Sequence, residues 1–259
     1  LAGYCDYYTI VCTEVFEGME PRHEDTMLFV VHKDNPGLQV KGDWDPLGMR
    51  GTNSRDLILK DVIVTADDLL MPRGIFGKTL PNWPHMMATL SPTYMGVAQG
   101  AYDFTLAYLQ GKVPGQPPID RRMYATKRVA VSKMYARLAN MRALWWQAFM
   151  ECKGFPSKAE VLRMYAAQYN VMEGVQEIAA MAIRTCGGQS MLKSLPLERM
   201  YRDSRCGALM LPYTSEIMED YIGVLALYEM NELDDAPGDL DGARSSLWRG
   251  DAGSLKGLR

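Results

Sequence analysis

"AIRTCGGQSMLKSLPLERMYRDSR" occupies residues 182–205. A helical pattern rich in Ala and Ile runs into Cys186-Gly187-Gly188 and stops there, because glycine supplies the left-handed turn that ends a helix. A short helix follows from about Leu197 to Gly207, with a charged turn at Arg202, Asp203 and Arg205. Arg202 and Asp203 read as an ion pair that ties this short helix down. The chain then takes an apolar step, Leu209-Met210-Leu211-Pro212, and Thr214-Ser215-Glu216 opens another helix, which runs to about Met230. Hydroxyls at such a start cap free backbone N–H groups, and an acid in the first turn favours the helix dipole.

Reading toward the N-terminus, three long segments show helical periodicity: His85 to Gln110, Asp120 to Glu151, and one that opens at Ser157 and runs toward Thr185. Ser157 and Glu160 have the spacing of a capping box. Pro92 lies inside the first segment and predicts a kink. The link "KGFPS" is short, so the helices on either side of it pack antiparallel. Most of the 19 methionines fall in helices and read as core filler.

Residues 1 to about 72 read differently. Tyr7 to Thr13, Met27 to Val31 and Leu38 to Val40 are strand-like runs, and Asn35-Pro36-Gly37 is a turn. Leu57, Leu59, Val62 and Val64 alternate, with one break near Lys60-Asp61 that fits a bulge or a bend. The fold class expected is α+β and multidomain. It comprises a partial antiparallel β-barrel domain over residues 1–75, an up-down four-helix bundle over 76–230 and a flexible, polar tail over 231–259. With no initiating Met and a strand pattern almost at once, the chain reads as a fragment cut inside a domain.

Composition narrows the function. The 259 residues are 47% hydrophobic, enough for a sizeable core, and carry a formal net charge of −3. Nucleic-acid binding calls for clustered Lys and Arg, which this balance does not offer. No apolar run reaches the roughly 18 residues of a membrane span. Cys5, Cys12, Cys152, Cys186 and Cys206 lack metal-ligand or redox spacing. They read as reduced, buried thiols of a cytoplasmic protein with no metal site.

Three stretches, in order, resemble the acyl-CoA dehydrogenase family: "PGLQVKGDWDPLGMRGTNSRDLILKDVIV" (36–64), "GVAQGAYDFTLAYL" (96–109) and the opening stretch (182–205). The resemblance implies an N-terminal helical domain, a β domain and a C-terminal four-helix bundle. This chain would then lack the first domain and the opening of the second. The resemblance also implies FAD, an acyl-CoA substrate in fatty acid metabolism and an electron-accepting flavoprotein or oxygen. The assembly implied is a dimer of dimers, or a hetero-oligomer with a homologous chain. A carboxylate would take the α-proton of the thioester and the flavin the β-hydride.

The same resemblance places the residues. The family's base position falls on Leu211 or Pro212, neither of which takes a proton. An alternative base position on the first bundle helix falls on Met86 or Met87. Glu216 is the nearest carboxylate and a weak candidate. The cofactor-binding candidates are Arg184, Gly187, Gly188, Thr214 and Glu216, while the family's other two cofactor side chains fall on Gly111 and Ala125. Gly187-Gly188 reads foremost as a helix stop and only second as a cofactor approach, and Thr214 and Ser215 read foremost as caps. Arg50, Thr52 and Ser54 are the substrate-binding candidates of the β domain. The leading expectation is α,β-desaturation of an acyl-CoA by an FAD-dependent enzyme. The alternatives are a flavin monooxygenase on the same fold, which needs no base there, and a non-catalytic partner subunit.

Overall fold

The computed structural model of this chain describes residues 1–18, 25–75, 89–153, 156–210 and 214–228. Met86, Met87, Leu211, Pro212 and the 231–259 tail lie outside the described residues. The chain divides into two compact units. The first gathers Leu1–Pro46 with the strands that follow Arg50, and the second gathers Leu47–Met49 with the helices that end at Leu227.

The first unit contains β1 (Tyr7–Thr13), β2 (Thr26–His32), β3 (Leu38–Lys41), β4 (Asp56–Leu59) and β5 (Leu69–Met71). One sheet has the order β1-β2-β5 and a second pairs β3 with β4. All pairings are antiparallel, with Tyr7 opposite His32 and Leu38 opposite Leu59. Alternation along β1 points Tyr8 inward and Tyr7 outward. Tyr8, Val31 and Leu38 form the core of this unit, with Ile10, Val40, Leu57, Val62 and Val64 packed around them. Of the two readings of the break at Lys60-Asp61, the bend is the right one. β4 ends at Leu59, and Asp61 turns the chain at φ 53°. The register irregularity falls instead on β2, between Leu28 and Phe29.

The second unit holds α1 (Ser91–Leu109), α2 (Ala125–Glu151), α3 (Lys158–Cys186), α4 (Leu197–Cys206) and α5 (Ser215–Leu227). The four longer helices are the bundle that the periodicity predicts, and α4 is the short helix of the opening stretch. α3 packs against all of the other four. Its buried side chains include Met164, Tyr165, Val171, Met172, Val175 and Ile178, so it presents apolar surface on several sides. α2 and α3 run antiparallel. Lys127 Nζ reaches the Thr185 carbonyl at one end, Arg137 pairs with Glu177 midway, and Arg163 pairs with Glu151 at the other end. Met134, Met141, Met164, Met172 and Met218 are fully buried, as core filler should be.

Two expectations change. Pro92 stands in the first turn of α1, where its missing N–H costs no helical bond, so it starts the helix rather than kinking it. Of the five cysteines only Cys186 is buried; the others are half-buried, and all five are free thiols.

Candidate functional site

The helix end at Gly187 builds the first corner. Gly187 takes φ 84°, a left-handed value that glycine adopts without strain, and its N–H still bonds to the Ile183 carbonyl. A Cβ at Gly187 or Gly188 would meet no atom of the described residues within 4 Å, which leaves the backbone there open to an approaching group. Arg184, one turn earlier, is exposed and makes no hydrogen bond or ion pair among the described residues. The C-terminal end of a helix repels anions, and cations nearby reverse that. Lys127 Nζ donates to the Thr185 carbonyl, and the Arg121 guanidinium lies 4.5 Å over the Tyr108 ring. The Tyr108 hydroxyl donates to Gln189 Oε1 at 3.1 Å. Burial pushes the Cys186 thiol up, while Lys127 and Arg121 pull it the other way.

Arg121, Tyr108 and Gln189 escaped the sequence reading. Arg121 lies in the link between α1 and α2, and no motif marks it. Its N–H bonds back to the Leu109 carbonyl and its Nη1 to the Ile119 carbonyl. The link thus returns a cation to the end of α1, beside Gly111, where the chain has no side chain to offer.

The start of α5 builds the second corner. Thr214 caps it, with its Oγ1 accepting from the Ile217 N–H at 3.4 Å. Glu216 is exposed, and its carboxylate is held below the ordinary range by its own backbone N–H and by the Thr214 hydroxyl. Ser215 is not a cap. It is buried, and its hydroxyl donates to Glu173 Oε1 on α3 at 2.5 Å. Glu173 and Gly187 are fourteen residues apart on α3, about 21 Å along its axis at 1.5 Å per residue. The five cofactor candidates therefore form two separate corners, with Arg184, Gly187 and Gly188 in one and Thr214 and Glu216 in the other.

Leading into the second corner, the fully buried Tyr94 donates its hydroxyl to Met210 Sδ at 3.1 Å, and burial pushes its pKa up to about 12. In the β unit, Arg50–Thr52 form a single 3-10 turn. Arg50 pairs with Asp45, and Thr52 Oγ1 lies 3.1 Å from Ser54 Oγ. Arg50 and Thr52 thus share one turn, and Ser54 follows just after it. Among the described residues there is no cluster of His, Cys, Asp or Glu fit to hold a metal, and no helix long and apolar enough to cross a membrane.

Known proteins resemble this chain over most of its length. It is 31% identical over 238 residues to L-evernosamine nitrososynthase of a Micromonospora strain, which covers 84% of this chain and 54% of that protein. It is 28% identical over 181 residues to the human mitochondrial short-chain specific acyl-CoA dehydrogenase, covering 68% of this chain and 42% of that protein. The structure of KijD3 in complex with FMN and dTDP-3-amino-2,3,6-trideoxy-4-keto-3-methyl-D-glucose superposes with a TM-score of 0.74 at 25% identity. That match covers 95% of this chain and 59% of KijD3. The chain spans about half the length of the relatives it matches. The family model for the acyl-CoA dehydrogenase C-terminal domain matches residues 85–224, more than half of the chain. Helix order, the Gly-Gly stop and this match agree: the chain belongs to the acyl-CoA dehydrogenase family.

Proposed function

We propose that the protein is a flavin-dependent monooxygenase on the acyl-CoA dehydrogenase fold and that its substrate offers an amine nitrogen. The observation that carries this reading is the missing base. By the family resemblance the carboxylate position falls on Leu211 or Pro212, and Glu216 is an exposed residue at a helix start with a lowered pKa. A carboxylate held as an anion by its own helix start is a poor proton acceptor. Oxygen transfer to a heteroatom needs no α-proton removed. A relative that is 31% identical is named a nitrososynthase, and a nitroso group is oxygen carried on nitrogen.

The flavin fits the first corner. Open backbone at Gly187-Gly188 and the guanidinium of Arg184, which has no partner among the described residues, suit a phosphate-bearing group. When bound and reduced, a flavin supplies two electrons to dioxygen, so that one oxygen atom reaches the substrate nitrogen and the other leaves as water. Arg184 binds the phosphate, and Gly187-Gly188 let it approach. Thr214 and Glu216 contact a flavin at the second corner, and Arg50, Thr52 and Ser54 orient the substrate. Because the two corners lie apart, an oligomer in which they serve different flavins suits this geometry, either a dimer of dimers or an assembly with a homologous chain. FAD and FMN both meet these requirements.

The test uses the full-length protein loaded with flavin. With an external reductant, oxygen uptake should depend on an added amino sugar nucleotide and yield an N-oxygenated product by mass spectrometry. Under anaerobic conditions, butyryl-CoA should leave the oxidised flavin coloured. Bleaching by the thioester would establish desaturation and overturn the proposal.

A further inference from the structure

At the start of α5 one side chain is spent on something other than capping. Thr214 and Glu216 already take up two N–H groups of that first turn, those of Ile217 and Glu216. Ser215 instead turns inward, 5% exposed, and donates to Glu173 Oε1 at 2.5 Å. The other oxygen of Glu173 lies 3.8 Å from Arg205 Nη1, and the same Nη1 donates to Gln176 Oε1 at 3.2 Å. Three helices meet at this carboxylate: α3 supplies Glu173 and Gln176, α4 supplies Arg205, and α5 supplies Ser215.

The consequence is rotational. Successive side chains on a helix are about 100° apart around its axis. Pinning Ser215 against α3 therefore turns Glu216, the next residue of the helix, away from α3, with Thr214 at the cap immediately before it. The buried Met218, Tyr221 and Leu225 set the roll of α5 further along, and the bond from Ser215 to Glu173 holds its first turn to the same side. Arg205 approaches the other oxygen of Glu173 and so ties α4 to the same carboxylate.

We infer that Glu173 is a positioning residue for the flavin corner: through Ser215 it fixes the direction in which Thr214 and Glu216 face the cofactor. The inference rests on the flavin reading proposed above. Glu173 itself touches no flavin, and it acts by holding the turn.

The experiment is a titration of apo full-length protein with FMN and with FAD, followed by flavin fluorescence, alongside thermal unfolding of each variant without flavin. Glu173→Ala and Ser215→Ala should each raise the flavin dissociation constant about tenfold, the loss expected for one charge-assisted hydrogen bond. The double variant should lose no more than either single one, because both remove the same bond. Glu173→Gln should bind within about threefold of wild type, since its amide oxygen accepts the same hydroxyl. If Glu173→Ala does not fold, Ser215→Ala carries the test. Wild-type protein that binds flavin, with Ser215→Ala binding it equally well, overturns the positioning role alone. A wild type that binds neither flavin overturns the flavin reading and this inference together. Equal losses in Glu173→Gln and Glu173→Ala, in step with melting temperature, would reduce Glu173 to a stabilising residue and overturn the inference too.

Discussion

The backbone N–H of Met49 donates to Asp203 Oδ1 at 2.6 Å, across 154 positions of sequence. Two further contacts hold the same loop to α4. Arg202 Nη1 donates to the Leu47 carbonyl at 2.7 Å, and Gly48 lies so close to α4 that a Cβ there would be 2.4 Å from the Arg202 carbonyl oxygen. Met49 takes φ 53°, a costly value for a residue with a side chain, and the bond to Asp203 offsets that cost. The expected Arg202–Asp203 ion pair does not form. Neighbouring residues on a helix point in different directions, so Arg202 pairs with Glu198, one turn back, at 2.9 Å. Asp203→Ala should lower unfolding free energy by about 1.5–3 kcal/mol, the range for a bond to a charged group. Asp203→Asn, which keeps an acceptor, should lose less; urea unfolding of both variants decides.

Gly48→Ala tests the same loop by steric means. The added methyl has nowhere to go, because its neighbour is backbone rather than a side chain that could swing away. A loss of about 1–3 kcal/mol is expected. Combined with Asp203→Ala it should fall short of the sum, because both changes release one loop.

At the other corner, stability and binding should separate. Arg184→Ala removes a side chain with no partner among the described residues, so its melting temperature should match wild type. Flavin should nevertheless bind about 10–100-fold more weakly, the loss expected for a charge-assisted contact. Gly188→Ala should behave in the same way, since its Cβ would point into open space that a cofactor would fill. Unchanged flavin affinity in both variants would make this corner a helix end and nothing more.

Glu216→Gln keeps the size of the side chain and removes its basicity. Turnover of the full-length enzyme should change by less than about tenfold. Removing a general base costs about a hundredfold or more, and a loss of that size with flavin still bound would restore Glu216 as the base.

The start of α3 makes a prediction about pH. Ser157 donates its hydroxyl to Glu160 Oε2 at 2.7 Å and its N–H to the same oxygen at 2.6 Å, which together hold that carboxyl below its ordinary pKa. A group whose pKa is lower in the folded state stabilises the fold fully above its unfolded pKa, and the gain fades as pH falls through the folded value. Glu160→Gln should therefore unfold at lower urea than wild type at pH 7. The gap should narrow below the ordinary carboxylate pKa of about 4.5. A gap that does not change with pH would mean the carboxylate charge plays no part.

Local chemistry made much of this protein legible in its sequence. Ser157 and Glu160 marked the start of α3, Gly187-Gly188 marked its end, and a run rich in β-branched and aromatic residues gave β1 as Tyr7–Thr13. Such signals lie within a few residues of what they control, so no knowledge of the rest of the chain was needed. Arg202 and Asp203 were misread in part for the opposite reason: Arg202 has a local partner in Glu198, but the two residues also hold Leu47 and Met49, more than 150 residues away, and no local pattern announces those contacts. Arg121 follows the same logic, because only the path of the α1–α2 link returns it to Leu109. Ser215 is the sharpest case. Its sequence reads as a cap, and a cap is a bond to its own backbone; whether a hydroxyl makes that bond or reaches Glu173 depends on how the start of α5 lies against α3, which only the tertiary structure decides.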